Sequence, residues 1–236
     1  MIVSFGSMNT PSSTVVLVSS GLDSAVLLMH EAAHGEVRPL YVRSGLAWEG
    51  AELPMLSRLL ASPILAGRLQ PLTVVDFPMH DVYPPGHWSM TGTPPGYDTP
   101  DGEVYLVGRN LTLLAKAGLV AAGADARRIA IGSLANNPFP DATPAFFASM
   151  AEALSRGLAH ALAIVTPFIA LQKAQVIELG ARLGVPFELT LSCMSPVDDH
   201  HCGLCSKCRE RRDAFAEAGV LDPSAYVHPP PRVAEG

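Results

Sequence analysis

The 236-residue sequence has few charged residues and few lysines. Charged residues make up 16% of it, lysine occurs at positions 116, 173 and 207, and the formal net charge is −6. A protein that binds nucleic acid through its phosphates, or that lies on an anionic membrane, normally carries a strongly basic face. The composition therefore predicts no direct binding of nucleic acid.

Long apolar runs and a basic N-terminal region are also missing. The most apolar stretch, residues 157–171, contains His160, Thr166 and Pro167 and is shorter than the roughly 20 residues of a membrane-spanning helix. Arg38 is the first basic residue, whereas a secretory signal begins with a positively charged region. We therefore expect no contact with a membrane and a cytoplasmic location.

Hydrophobic residues nevertheless account for 48% of the chain, which is enough for a packed core and too much for a disordered chain. Short apolar runs alternate with longer helical patterns. The predicted strands are residues 14–18, 36–42, 72–77, 128–132 and 163–165, and the predicted helices are residues 23–33, 49–60, 110–122, 144–159 and 171–183. This alternation predicts an α/β fold, an open parallel five-stranded sheet with helices on both faces.

Two proline-rich segments depart from this alternation. Residues 78–103 contain six prolines and four glycines, and a loop of this length is usually functional or mobile. Residues 221–236 include three consecutive prolines and are expected to form an extended or disordered tail. The predicted organisation is a main domain over residues 12–190, a cysteine segment over residues 191–220, and this tail.

Small residues connect the first predicted strand to the first predicted helix. We call this connection the serine loop; its members are Ser19, Ser20, Gly21, Leu22, Asp23 and Ser24. Ligands of open α/β sheets bind beyond the carboxyl ends of the strands, where a helix N-terminus offers free N–H groups to phosphate. The loop matches neither GxxxxGK[ST] nor GxGxxG. These residues alone support phosphate binding and simple capping of the helix equally.

All four cysteines lie within sixteen consecutive positions and have the spacing C-x8-C-x2-C-x2-C. They are Cys193, Cys202, Cys205 and Cys208. A disulfide framework would instead spread its cross-links over a small secreted chain. Four thiolates with this spacing can surround one tetrahedral ion and complete its coordination, so we predict a structural zinc site. An iron–sulfur cluster and four reduced thiols are the alternatives.

The serine loop resembles the S-G-G-x-D-S pyrophosphate loop of the N-type ATP pyrophosphatases (PP-loop enzymes). Four further motifs, in the same order from about residue 15 to residue 215, resemble those of the 7-cyano-7-deazaguanine synthases of the QueC type. They are V-G-R-N at residues 107–110, F-P-D at 139–141, T-P-F and a lysine at 166–173, and S-C…C-G-x-C-x-x-C-x-x-R at 192–211. The resemblance implies an adenine nucleotide alpha hydrolase-like fold. Residues 12–190 would be an ATP-pyrophosphatase-type nucleotide-binding domain, and residues 191–220 a helical zinc-binding segment.

The resemblance also implies ATP as co-substrate, Mg²⁺ as its cation, and Asp23 and Lys173 as catalytic residues. Asp23 would hold the cation beside the phosphates, and Lys173 would stabilise charge during nucleotidyl transfer. Arg109, Asn110 and Asp141 match motif positions that would bind the substrate. The structural alternatives are helix caps for Asp23 and Asp141, an ordinary helix start at Arg109 and Asn110, and a solvent-exposed Lys173.

Two departures from the family pattern bear on ATP binding and on the substrate. Ser20 replaces a glycine of the phosphate loop and adds a Cβ where backbone and phosphate approach closely. Residues 41–49 replace the family's Y-G-Q-x-H segment, and Ala142 and Thr143 follow the F-P-D motif where the family has cysteine and arginine. The resemblance therefore supports adenylation chemistry in this chain more strongly than it supports the family's substrate.

The activity that the resemblance implies is that of an ATP-dependent carbon–nitrogen ligase of queuosine biosynthesis, acting as a homodimer. It would adenylate 7-carboxy-7-deazaguanine, react it with ammonia and form 7-cyano-7-deazaguanine (preQ0). One alternative is a related enzyme that joins a deazapurine or another carboxylate to a different amine, including one on a protein. The other is a non-catalytic zinc-containing module that binds nucleotide or an interaction partner.

Overall fold

The computed structural model describes residues 13–135 and 137–231; residues 12 and 136 of the predicted main domain and residues 232–236 of the predicted tail lie outside them. The strands are β1 (Thr14–Leu17), β2 (Val37–Arg43), β3 (Thr73–Asp76), β4 (Arg128–Ala130) and β5 (Ala163–Val165). They form one sheet of order β3-β2-β1-β4-β5, and every neighbouring pair is parallel. The predicted open parallel five-stranded sheet is confirmed.

Helices cover both faces of this sheet. They are α1 (Leu22–Ala32), α2 (Glu49–Leu60), α3 (Trp88–Thr91), α4 (Arg109–Gly123), α5 (Pro144–Gly157), α6 (Lys173–Leu183) and α7 (Ser206–Glu217). Helices α1, α2, α6 and α7 form one core with buried Val26, Leu56 and Phe215, and α4 and α5 form a second core with Leu114 and Phe147. In the described part of the chain, no helix has the length and apolar character needed to cross a membrane.

The strand order changes direction at β1, because β2 and β3 lie on one side of it and β4 and β5 on the other. The crevice beyond the carboxyl ends of β1 and β4 is therefore a topological switch point, where open α/β sheets bind their ligands. The serine loop follows β1 directly and leads into α1, so it lies at this crevice.

The proline-rich segment of residues 78–103 is packed against the rest of the protein. Met79 and Tyr83 form a small apolar core with Leu46 and Leu106. Arg209 of α7 donates a hydrogen bond of 3.2 Å to the carbonyl oxygen of Thr99. The segment therefore forms a wall between the end of β3 and the cysteine segment.

The described part of the tail is anchored to the cysteine segment. Arg211 is 1% exposed and forms an ion pair of 3.1 Å with Asp222, and the Val227 N–H donates to the His201 carbonyl oxygen at 2.9 Å. A buried guanidinium needs a counter-charge, and the tail supplies it. Residues 221–231 contain no helix or strand and are attached to the cysteine segment by these contacts.

Candidate functional site

The serine loop is held closed by its own hydroxyl groups. Ser24 Oγ accepts a hydrogen bond from the Ser19 N–H, and Ser19 Oγ accepts one from the Gly21 N–H, both at 3.0 Å. Gly21 precedes α1, and among the described residues no side chain caps that helix. The first N–H groups of α1 have no intrahelical partners, as at every helix start. Because the first turn of α1 lines a cavity, these groups are available to an anion.

Ser20 takes no part in that cavity. It is fully buried, its Oγ donates to the Leu191 carbonyl oxygen at 3.4 Å, and its own carbonyl oxygen accepts from the Leu191 N–H at 2.8 Å. The side chain that distinguishes it from the family's glycine therefore lies against the start of the cysteine segment. It connects the loop to that segment.

Three cavities meet at Asp23, which lines each of them. The strand-end cavity, of about 230 Å³, lies beyond β1 and β4 and is lined by Tyr41 and Arg109. The lysine cavity, of about 270 Å³, is lined by Phe139 and Glu210. Asp23 is thus placed where groups bound in different cavities would come together.

The third, the tryptophan cavity, has a volume of about 230 Å³ and is lined by Trp48 and Trp88. Lys173 and Lys207 line both this cavity and the lysine cavity. The cysteine segment therefore contributes a cation, Lys207, beside the predicted catalytic lysine. Lys207 was not among the predicted site residues, although the scarcity of lysine in the chain applies to it equally.

Four charged side chains form a continuous network between the serine loop and α7. Lys173 Nζ lies 3.1 Å from Asp23 Oδ2 and 2.5 Å from Glu210 Oε1, and Lys207 Nζ lies 2.5 Å from Glu210 Oε2. Burial alone would lower the pKa of Lys173, but the carboxylates of Asp23 and Glu210 raise it above its ordinary value. Burial alone would raise the pKa of Glu210, but the two lysines lower it to about 2. Lys173 and Glu210 are therefore charged at neutral pH.

Asp23 has one oxygen without a partner. Oδ2 faces Lys173, whereas Oδ1 is buried and makes no hydrogen bond within residues 13–135 and 137–231. A buried polar atom without a partner is costly, and a carboxylate oxygen is the preferred ligand of Mg²⁺. The residue thus fits the predicted role of holding a cation.

Asn110 and Asp141 are hydrogen-bonded to each other. Asp141 Oδ2 accepts from the Asn110 N–H at 3.0 Å, and Asn110 Nδ2 donates to the Asp141 carbonyl oxygen at 2.8 Å. Burial raises the pKa of Asp141, which is 5% exposed. In these contacts Asp141 fixes the first turn of α4 and with it the neighbouring Arg109, which lines the strand-end cavity. Contact of the three residues with substrate stays a prediction.

A buried hydrogen bond joins β2 to α2 beside the tryptophan cavity. Tyr41 Oη donates to Glu52 Oε2 at 2.6 Å, and burial raises the pKa of Glu52. Glu52 also lines the cavity and was not identified from the sequence. A signal was available, because position 52 falls on the apolar stripe of α2 that includes Leu56 and Leu59.

The four cysteine sulfurs lie within 4.8 Å of one another, and all four residues are buried. Three of the Sγ–Sγ distances are 3.5, 3.9 and 3.9 Å, whereas the sulfurs of a disulfide are about 2.05 Å apart. Thiolates about 2.3 Å from a central zinc ion form a tetrahedron with edges of about 3.8 Å. The N–H groups of Ser195 and Cys202 donate to Cys193 Sγ, which stabilises a thiolate. The cluster could therefore hold one metal ion.

The turn between the second and third cysteines requires a glycine. Gly203 has φ +87°, and a Cβ at this position would lie 2.1 Å from the His228 carbonyl oxygen. Both observations exclude an ordinary side chain. The close approach of residue 228 also shows how tightly the tail covers the cluster.

The family of the chain follows from comparison with known proteins. The family model described as queuosine biosynthesis protein QueC matches residues 95–219. A 7-cyano-7-deazaguanine synthase from Magnetococcus marinus is 35% identical over 94% of this chain and 100% of its own length. Another from Anaeromyxobacter dehalogenans is 34% identical over 90% of this chain and 95% of its own length. The chain belongs to the QueC family. The family predicted from the motifs is thereby confirmed.

A solved structure supports the fold of this QueC chain. The U34-tRNA thiolase NcsA from Methanococcus maripaludis, determined with its [4Fe-4S] cluster, matches 89% of this chain and 68% of its own with a TM-score of 0.52. The sequence identity is 11%, so the likeness concerns the α/β architecture alone.

The motifs of the QueC family converge in space on the serine loop. Arg109 and Asp23 line the strand-end cavity, Lys173 contacts Asp23, and Cys193 lines the tryptophan cavity together with Asp23. Motifs that are far apart in the sequence thus surround a single cleft.

Proposed function

We propose that this chain is an ATP-dependent carbon–nitrogen ligase of queuosine biosynthesis, which converts a carboxylate into its adenylate and then into an amide and a nitrile. The observation that carries the proposal is the meeting of three cavities at Asp23, with Lys173 and Lys207 beside it. The relatives named 7-cyano-7-deazaguanine synthase support 7-carboxy-7-deazaguanine as the substrate and 7-cyano-7-deazaguanine as the product.

In this proposal, ATP binds across the strand-end cavity and the serine loop. The cavity lies at the topological switch point of the sheet, where Tyr41 and Val42 at the end of β2 can cover a nucleoside. The N–H groups at the start of α1 would bind the β- and γ-phosphates. Residues 12–190 would then form the nucleotide-binding domain.

The charged network would stabilise the leaving pyrophosphate. Lys173 and Lys207 present two ammonium groups to the cleft, and Glu210 holds both in place. Preorganised charge of this kind lowers the barrier where negative charge develops. Asp23 Oδ1 would bind Mg²⁺, which supplies further neutralisation of the phosphate charges.

The proposed reaction begins when a carboxylate oxygen of the substrate attacks the α-phosphorus of ATP and the bond to pyrophosphate breaks. Ammonia then attacks the acyl carbon of the adenylate, AMP leaves, and an amide remains. The amide oxygen then attacks the α-phosphorus of a second ATP and releases a second pyrophosphate. The C–O bond breaks, AMP leaves with that oxygen, and loss of both N–H protons over the two steps gives the nitrile. The protein contributes positioning and charge stabilisation, and no cysteine acts as a nucleophile.

The cysteine cluster would hold one structural zinc ion. Four sulfurs complete a tetrahedral coordination and leave no position open for substrate. Lys207 lies between the ligands Cys205 and Cys208, so the ion would fix the start of α7 and direct this lysine toward the cleft.

The product identifies the reaction. Incubation of the protein with 7-carboxy-7-deazaguanine, ATP, Mg²⁺ and ammonium, followed by mass spectrometry, is expected to yield the nitrile and two AMP for each product molecule. Accumulation of an adenylate without amide or nitrile would favour an enzyme that uses a different amine. Absence of AMP and of any new product would favour a non-catalytic module.

A further inference from the structure

Both tryptophans of the chain line one cavity. Trp48 precedes α2 and Trp88 begins α3; their ring centroids are 5.9 Å apart and their planes are within 13° of parallel. Neither ring is completely buried, although each lies next to an apolar core. Because the two rings are stacked on each other, the pair offers a planar ligand the outer face of one ring, which the other ring supports.

Contacts on either side of the pair hold it in place. The Ala47 N–H donates to the Ser89 carbonyl oxygen at 2.9 Å, which ties together the two segments that carry the tryptophans. The His87 side chain accepts a hydrogen bond from the Ser89 N–H, and its ring lies 5.4 Å from that of Trp88. A surface that is ordered before the ligand arrives reduces the entropy cost of binding.

The same cavity combines this aromatic wall with charge. Lys173, Lys207 and Asp23 line it, together with apolar side chains such as Leu106. Glu52 lines it too and offers hydrogen-bond acceptors to ring N–H groups. The cavity is therefore suited to a planar aromatic ring that carries a carboxylate, with the carboxylate directed to the lysines.

We propose that Trp48 and Trp88 form the specificity-determining wall of the acyl-substrate site, on which the fused ring of a 7-deazapurine carboxylate stacks. This inference rests on the proposed function, because it places the carboxylate that is adenylated. The acyl substrate occupies the tryptophan cavity and ATP the strand-end cavity. The two meet at Asp23, which lines both.

The tryptophans themselves report on binding, because the chain contains only these two. Titration of 7-carboxy-7-deazaguanine into the full-length protein is expected to quench tryptophan fluorescence saturably. The variants Trp48→Phe and Trp88→Phe each leave a single emitter, and each is expected to remain sensitive to the ligand. Adenosine as the titrant is expected to cause a smaller change.

Kinetics separate stacking from general damage. In carboxylate-dependent exchange of pyrophosphate into ATP, Trp48→Ala and Trp88→Ala are expected to raise KM for the carboxylate about tenfold and to leave KM for ATP near its original value. The two phenylalanine variants are expected to restore most of the loss. Tyr97→Ala, on the same proline-rich segment but outside the cavity lining, is the matched control and should retain the original KM.

Two negative outcomes have different meanings. In the first, the original protein catalyses exchange, both alanine variants keep its KM for the carboxylate, and the titration leaves fluorescence unchanged. The proposed stacking on Trp48 and Trp88 is then wrong, and the proposed function stands. If the original protein catalyses no exchange with this carboxylate, the proposed substrate is wrong and this inference falls with it.

Discussion

Lys173 Nζ, at the first residue of α6, lies 3.1 Å from Asp23 Oδ2 in the first turn of α1. Glu210 of α7 contacts the same lysine from another direction at 2.5 Å. Three helices that begin far apart in the sequence thus bring opposite charges into one cleft. This network keeps Lys173 protonated and positioned, as stabilisation of phosphate charge requires.

Lys173 is expected to be necessary for adenylation. Lys173→Met removes the ammonium group beside Asp23, and the carboxylate-dependent exchange rate is expected to fall by at least about 100-fold. Lys116→Met is the matched control, because Lys116 lies over the Phe77 ring and lines none of the cavities that meet at Asp23. Equal rates for the two variants would contradict the assignment.

Lys207 and Glu210 are expected to act together. Lys207→Met and Glu210→Gln should each slow exchange about tenfold, and the double variant should be less impaired than the product of the two effects, because each residue orients the other. A double-mutant cycle on the exchange rate measures this coupling. Arg209→Gln is the control, because Arg209 lies on the same helix but donates its hydrogen bond to the Thr99 carbonyl oxygen and not to Glu210. It should not slow exchange as the other two variants do. Strictly multiplicative effects would show that the two residues are independent.

Ser20→Gly, which restores the residue typical of the family, is expected to change KM for ATP by less than about threefold. The Ser20 side chain is buried against Leu191 and does not line the strand-end cavity, so its removal opens no new room for phosphate. Loss of one buried hydrogen bond should lower the free energy of unfolding by about 1 kcal/mol. A tenfold fall in KM for ATP would mean that Ser20 does obstruct the phosphate loop.

The cysteine cluster is expected to contain one zinc ion per chain. Elemental analysis should find one zinc and no iron, and the protein should lack visible absorption. Cys205→Ser should release the metal and lower the melting temperature, because the four ligands hold together the loop and the helix start of the cysteine segment. Several iron atoms per chain would identify an iron–sulfur cluster instead.

Glu52 is expected to make stability depend on pH. Burial raises its pKa in the folded state, whereas the unfolded carboxyl titrates near about 4.3. Its contribution to stability is therefore fully present below about pH 4.3 and is lost as pH rises through the raised pKa. Glu52→Gln removes this dependence, so the variant should gain free energy of unfolding relative to the original protein between about pH 4 and neutral pH. Denaturant titrations at several pH values test this, and parallel curves would contradict it.

The fold was predictable because its local signals agree with one another. Residues 15–17 are an uninterrupted apolar run and form a strand that is buried on both faces, as parallel sheets require. The cysteine spacing likewise predicted the cluster, because the short loops between the cysteines keep their sulfur atoms close together.

The walls of the cleft were harder to predict. Trp48 and Trp88 have no local pattern that marks them, and they meet only because residues 78–103 fold back onto α2 and the cysteine segment. The attachment of the tail to the cysteine segment was not predicted, for the same reason. The ion pair between Arg211 and Asp222 is a tertiary contact, and the periodicity of the sequence does not predict such contacts.

Exchange of labelled pyrophosphate into ATP tests most directly whether the cleft around Asp23 adenylates a carboxylate. We expect exchange that requires both Mg²⁺ and 7-carboxy-7-deazaguanine, and we expect Asp23→Asn to be at least about 100-fold slower. Exchange that proceeds as fast without the carboxylate, or as fast in the Asp23→Asn variant, would contradict adenylation at this site.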